Sequence, residues 1–319
     1  MNDYELTWGV PVILYLYLAG VGAGALTASA SMLLRGGSTG RYFNIARYGA
    51  FLAAPLVIIG TTLLVLELGS FQTGHWFRFL NLFKIITLSP MSIGTWLLVL
   101  FILISIPYGY TFLSKDAALG DSFDRMRRLL AWISVPLGIA VAVYTGVLLG
   151  AMSSRPFWNS PILAMLFLIS ALSTGIAILV LLNTLLNRKI TDPEFLKDSS
   201  ETNYVLTATD TIFIGLEILV IFLFIMYAHL TVGNQSDAIK VIEWGGELSL
   251  MFWFWVVIVG LLIPVLIELF QIIPKIIYHR EAIFHPVMSV VIPVFVLLGG
   301  YMLRHVVVVA GQITGPIGL

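Results

Sequence analysis

Eight long apolar stretches, parted by short polar connectors, make up almost the whole chain: Trp8 to Leu34, Ile45 to Gly69, Pro90 to Leu113, Leu129 to Met152, Pro161 to Leu186, Tyr204 to His229, Leu248 to Ile273 and Pro286 to Gln312. Each reaches the length of about 20 residues that crosses a hydrocarbon core. The runs are continuous, without the ten-residue alternation of a membrane barrel, so backbone polar groups must be satisfied within helices. The pattern predicts an all-α integral membrane protein of eight transmembrane helices. The tight SSRPFWNSP turn after Met152 divides them four and four, into residues 1–152 and 153–319. The polar segment RKITDPEFLKDSSE reads as a connector, and no internal repeat stands out.

Composition agrees with this class and excludes others. The 319 residues are 59% hydrophobic and 11% charged, with a mean hydropathy of +0.99, whereas soluble domains carry about 25% charged residues. Seventeen basic residues balance seventeen acidic ones, so nothing points to nucleic acid as a partner. With no cysteine, the chain holds no disulfide and no cysteine-ligated iron–sulfur cluster. The start, MNDYELTW, lacks the positive region and cleavage site of a signal peptide, so the first run is expected to stay as an anchor.

Charge distribution sets an orientation. Twelve of the 17 basic residues, among them Arg35, Arg41, Arg127, Arg188 and Lys275, flank the odd-numbered connectors, and four flank the other side. The positive-inside rule then puts the odd connectors in the cytoplasm and both termini outside. Trp8, Trp76, Trp158 and Trp244 fall at the outer boundary, as an aromatic belt or as a cushion for a docked partner.

Polar groups at membrane depth carry the candidate chemistry. Glu67 lies near the outer end of the second run, and Tyr15 and Tyr144 lie about two turns below the outer ends of the first and fourth. Ionisable side chains in a bilayer mark functional sites unless they reach the interface or pair, as Glu67 could with Arg78. Two phenols and a carboxylate at one depth suit the two oxygens and the protons of a quinone, although tyrosines are also ordinary interface residues. In the sixth run Thr207, Asp210 and Glu217 follow one another, with the two acids on one helix face. The eighth adds Arg304 and His305, with Gln312 beyond. These four ionisable residues suit a proton relay, or a static ion pair between Arg304 and one of the acids. Gly20 and Gly24 in the first run have the spacing of a close helix contact. The five histidines provide no pair at matching depths, which argues against haem, and no metal site is expected.

Several segments together resemble the NrfD/polysulfide reductase membrane-subunit family: YLYLAGVGAGA, the ELG near the end of the second run, SPMSIGTW, AVYTGVLLGAMSSRPFWNSP, the paired acids of the sixth run, FWFWVVIVGLLIPVLIE and MLRHVVVVAGQ. The resemblance implies two four-helix bundles without an intrinsic cofactor. It also implies a menaquinone or ubiquinone site near the outer face, with Tyr15, Glu67 and Tyr144 at the quinone. A ferredoxin-like iron–sulfur subunit would dock there and lead to a catalytic subunit of molybdopterin or multihaem type. The setting would be the cytoplasmic membrane of a bacterium or archaeon. The competing readings are a secondary transporter or ion channel using the intramembrane acids, and an anchor without quinone chemistry.

Overall fold

The computed structural model describes residues 8–36, 41–69, 89–113, 120–187, 193–231, 233–278 and 287–315. Among them there is no strand, and eight helices are long and apolar enough to cross a membrane. They are α1 (Val10–Gly36), α2 (Phe43–Gly69), α3 (Pro90–Tyr110), α4 (Gly120–Gly150), α5 (Ile162–Leu186), α6 (Pro193–Leu230), α7 and α8 (Met288–Ile313). Of these, α7 begins as the π-helix Met251–Leu262 and continues as the α-helix Ile263–Tyr278. The expected loop residues His75, Trp76, Arg78 and His279, and His285 at the expected end of a span, lie outside the described residues.

Packing follows two closed circuits. In one, α1 and α3 each pack on both α2 and α4; in the other, α5 and α7 each pack on both α6 and α8. Contacts of α1 with α5 and α8, and of α4 with α5, join the circuits. Large apolar side chains such as Leu103, Trp132, Ile212 and Phe222 point outward, as lipid-facing positions do.

The small residues are where helices meet. A Cβ at Gly24 would overlap the Ala171 carbonyl, and Gly24 and Gly175 abut backbone to backbone. Without a hydrophobic driving force between helices in lipid, such close packing holds α1 to α5. Gly24→Val should therefore force the helices apart, at a cost of about 1–3 kcal/mol. The measurement is the thermal melting of the detergent-solubilised protein, and an unchanged midpoint would mean that the contact carries little stability.

Two helices outrun their apolar stretches. Expected from Leu129 and Tyr204, α4 and α6 start instead at Gly120 and Pro193. Charged residues in those first turns end a hydropathy-based reading without ending a helix, because turns beyond the lipid can stay helical with their polar groups in water. The polar segment before Tyr204 is thus helical from Pro193 onward. Arg41, just before α2, pairs with Asp198 at 3.1 Å and with Glu201, tying this end of α6 to α2. The start of α1 meets the end of α8: the Trp8 amide donates to Gln312 Oε1 at 2.8 Å, and Gln312 Nε2 donates back to the Trp8 carbonyl at 3.1 Å. Trp158 does not face lipid as a belt residue would. It is buried, stacks on Trp8 at 5.2 Å, and donates its indole N–H to the Val307 carbonyl at 2.7 Å.

Candidate functional site

Tyr15, Glu67 and Tyr144 line one cavity of about 140 Å³ at the end of the first circuit that holds Trp8. Its wall is completed by Trp8, Val12, Leu64, Met91, Thr95, Leu98 and Leu148, so α1, α2, α3 and α4 all contribute. The SPMSIGTW segment builds one side of it. Ser89 caps α3 by accepting from the Ser92 amide at 3.3 Å, and Pro90 opens the helix, where its missing N–H costs nothing. That start sets Met91 and Thr95 in the wall, and Gly94 beneath the Tyr144 ring, where any Cβ would overlap the phenol.

The polar edge of this cavity is unevenly satisfied. Tyr15 is fully buried. Its hydroxyl faces that of Tyr144 but lacks a hydrogen-bond partner of full geometry. A buried hydroxyl without a partner costs free energy that an incoming acceptor would recover. Glu67, the exposed member, accepts a long hydrogen bond from the Gly9 amide at 3.4 Å. The rest of the wall is mostly apolar. The combination fits a flat apolar ring with oxygens at its edge, held by Tyr15 and Tyr144, with Glu67 able to accept a proton.

The ionisable residues of the second circuit form a row. Asp210 faces Ser173 and Glu217 faces Ser170, both on α5. Arg304, fully buried, donates from Nη1 to Ser170 Oγ and to the Gly300 carbonyl, each at 2.8 Å. Ser170 thus stands between Glu217 and Arg304, and no direct ion pair joins Arg304 to an acid among the described residues. The guanidinium also lies 5.4 Å above the Phe167 ring and 5.9 Å above Tyr17. Gly20, beyond packing, leaves the space into which Arg304 Nη2 reaches. His305 stands apart from the acids: half-buried, it neighbours Tyr301, which packs edge-on against Tyr17 at 5.7 Å.

Two buried polar residues were missed by the sequence reading. Glu268 and Gln271 of α7 line a second, smaller cavity together with Thr207 and Asp210. Glu268 Oε2 accepts from Thr211 Oγ1 at 2.9 Å. The available signal was a single acid closing the apolar run FWFWVVIVGLLIPVLIE. Among the described residues, no group of three or more His, Cys, Asp or Glu could hold a metal ion.

Comparison with known proteins bears on the whole length. The sequence matches the family described as "Polysulphide reductase, NrfD" over residues 1–316. It is 30% identical to a polysulfide reductase chain of Wolinella succinogenes, with 96% of this protein and 95% of that one aligned. It is 27% identical to the NrfD homolog of Haemophilus influenzae, with 97% and 96% aligned. A putative dimethyl sulfoxide reductase membrane subunit of Halobacterium salinarum is 25% identical over 57% of this protein and 44% of its own length. Matched from its first residues to its last helix, the eight-span chain belongs to the NrfD polysulphide reductase family.

Proposed function

We propose that this protein is the quinone-interacting membrane anchor of a respiratory oxidoreductase complex. Membership of the family, and relatives named as a reductase chain and a reductase membrane subunit, support the anchor role. One observation carries the quinone reading: Tyr15, Glu67 and Tyr144, from three helices far apart in sequence, line a single cavity whose Tyr15 hydroxyl is buried without a full partner. The quinol, menaquinol or ubiquinol, supplies a pair of electrons and a pair of protons when bound. Tyr15 and Tyr144 orient the ring by hydrogen bonds to its oxygens, the apolar wall excludes water, and Glu67 takes up protons and passes them to solvent at its exposed side. The electrons go to an iron–sulfur subunit at the outer face and on to a catalytic subunit.

The two circuits of helix contacts support a division into two four-helix bundles, residues 1–152 with the quinone site and residues 153–319. The hydrogen bonds between Trp8 and Gln312 bring the ends of α1 and α8 to one side, and the bias of basic residues favours the outside for it. The setting is the cytoplasmic membrane of a prokaryote. In the second bundle Asp210, Glu217 and Arg304, with His305 at the far end, supply the steps of a proton relay.

The test is isolation of the protein from its native membrane. An iron–sulfur companion should copurify, and the complex should oxidise a quinol analogue. A protein that purifies without such a companion and carries a solute into liposomes would overturn this reading in favour of a transporter.

A further inference from the structure

The second cavity lies near the end of the second circuit opposite to Gln312 and shares no lining residue with the cavity of Tyr15, Glu67 and Tyr144. Its volume is about 10 Å³, room for one water-sized particle. Thr207 and Asp210 of α6 and Glu268 and Gln271 of α7 face it, with Ser289 of α8 and apolar side chains closing the wall. Asp210 is 2% and Glu268 3% exposed, and the two act on each other electrostatically. Glu268 commits Oε2 to Thr211. Asp210 Oδ1 is buried with no hydrogen-bond partner.

Two neighbouring carboxylates in an apolar wall call for positive charge. Buried charge without a partner is costly, and none of the ion pairs among the described residues reaches either acid. The titratable groups that face the pair are acids: Glu217 acts on Asp210, and Asp210 on Glu268. The polar ligand atoms on offer are oxygens, from two carboxylates, the Thr207 hydroxyl and the Gln271 amide carbonyl, beside one thioether, that of Met288. A set dominated by carboxylate and carbonyl oxygens takes hard cations, while transition metals favour imidazole or thiolate. Calcium needs about six to eight oxygens and magnesium keeps several of its waters, and neither fits a space for one particle. With one of the two acids keeping its proton, a single monovalent ion fits both the space and the remaining charge. Ion-driven membrane proteins bind their coupling Na⁺ or H⁺ in sites between helices.

We propose that the Asp210–Glu268 cavity binds one dehydrated sodium ion in exchange for a proton. Binding requires no quinone chemistry. Only a role in coupling, as the ion that loads the inner end of the polar row, rests on the relay reading above.

Equilibrium binding of radioactive sodium to the full-length protein in detergent, without quinol, tests the proposal. The expected result is saturable binding of about one sodium ion per protein molecule, competed by lithium more than by potassium, and weakening as the pH falls and protons take the carboxylates. Asp210→Asn and Glu268→Gln should each weaken it roughly tenfold or more. Thr207→Val separates sodium from protons, because it removes an oxygen ligand and keeps both carboxylates; it should weaken sodium binding and leave the pH dependence in place. It also carries the test if either acid variant fails to fold. Absence of saturable sodium binding at neutral and alkaline pH, or equal binding by wild type and Thr207→Val, overturns the proposal. Because no quinol is present, that outcome leaves the quinone reading standing, and a protein that oxidises no quinol can still pass.

Discussion

Replacing Glu67 by glutamine is expected to lower quinol oxidation by about 10²- to 10⁴-fold, the range for losing a positioned general base. Glutamine keeps the shape and the acceptor oxygen that meets the Gly9 amide, so the end of α1 stays in place while the proton acceptor is lost. Tyr144→Phe keeps the ring seated on Gly94 and removes the hydroxyl that faces Tyr15. A hydrogen bond to a group gaining charge contributes about 1.5–3 kcal/mol, so this variant should lose roughly 10- to 100-fold. Both should assemble as wild type does. Gly94→Ala works the other way, leaving every polar group present and pushing the Tyr144 ring out of its seat; it should impair turnover together with quinol affinity. Steady-state oxidation of a quinol analogue by the purified complex reads all three. Wild-type rates in both Glu67→Gln and Tyr144→Phe would mean that the quinone binds elsewhere.

Asp210→Asn should abolish the membrane potential that the complete complex builds in liposomes. Quinol oxidised at the outer face leaves its protons and its electrons on that side, so turnover alone carries no charge across the bilayer. A potential measured with a voltage-sensitive dye therefore reports the row through the second bundle. Moving one charge against 100 mV requires about 2.3 kcal/mol, and a titratable group must be present at each stage of the path. Asparagine matches the shape of Asp210 beside Ser173 and cannot exchange a proton or compensate a cation. The expected trace is a stable potential in wild type and none in the variant during quinol turnover. If the wild-type complex turns over without any potential, Asp210 takes no part in coupling and the row is an electroneutral polar seam.

The number and type of the helices were legible because an apolar run of bilayer length has few alternatives. Their ends were less so: the turns of α4 and α6 before Leu129 and Tyr204 are charged, and hydropathy stops where water begins while hydrogen bonding continues. Tyr15, Glu67 and Tyr144 could be grouped by depth alone, since three spans that cross the same slab hold their polar groups at comparable heights. Gly94 gave no such sign, because its role is to leave room, and room has no side chain to read. The Arg304 environment was hidden for a related reason. A search for charge partners favours an acid, whereas the group that lies between Arg304 and Glu217 is Ser170, one unremarked hydroxyl in an apolar run. Glu268 was passed over because it stands within the last turns of its run, where a carboxylate reaching water looks ordinary. Only the packing of α6 on α7 turns it inward toward Asp210.

The bond between Trp8 and Gln312 also has a bearing on how the protein is made. Proteins are synthesised from the N-terminus onward, and earlier segments fold first, so α1 to α4 can enter the bilayer and meet while later spans are still being translated. They bring Tyr15, Glu67 and Tyr144 with them. Trp8, however, is held by Gln312, stacked on Trp158, and backed by Arg155, which donates to the Gln312 carbonyl at 2.8 Å. Those partners arrive in sequence, Gln312 last of all. A half-inserted copy therefore carries the reactive groups with one wall of their cavity still unfastened until α8 packs in place.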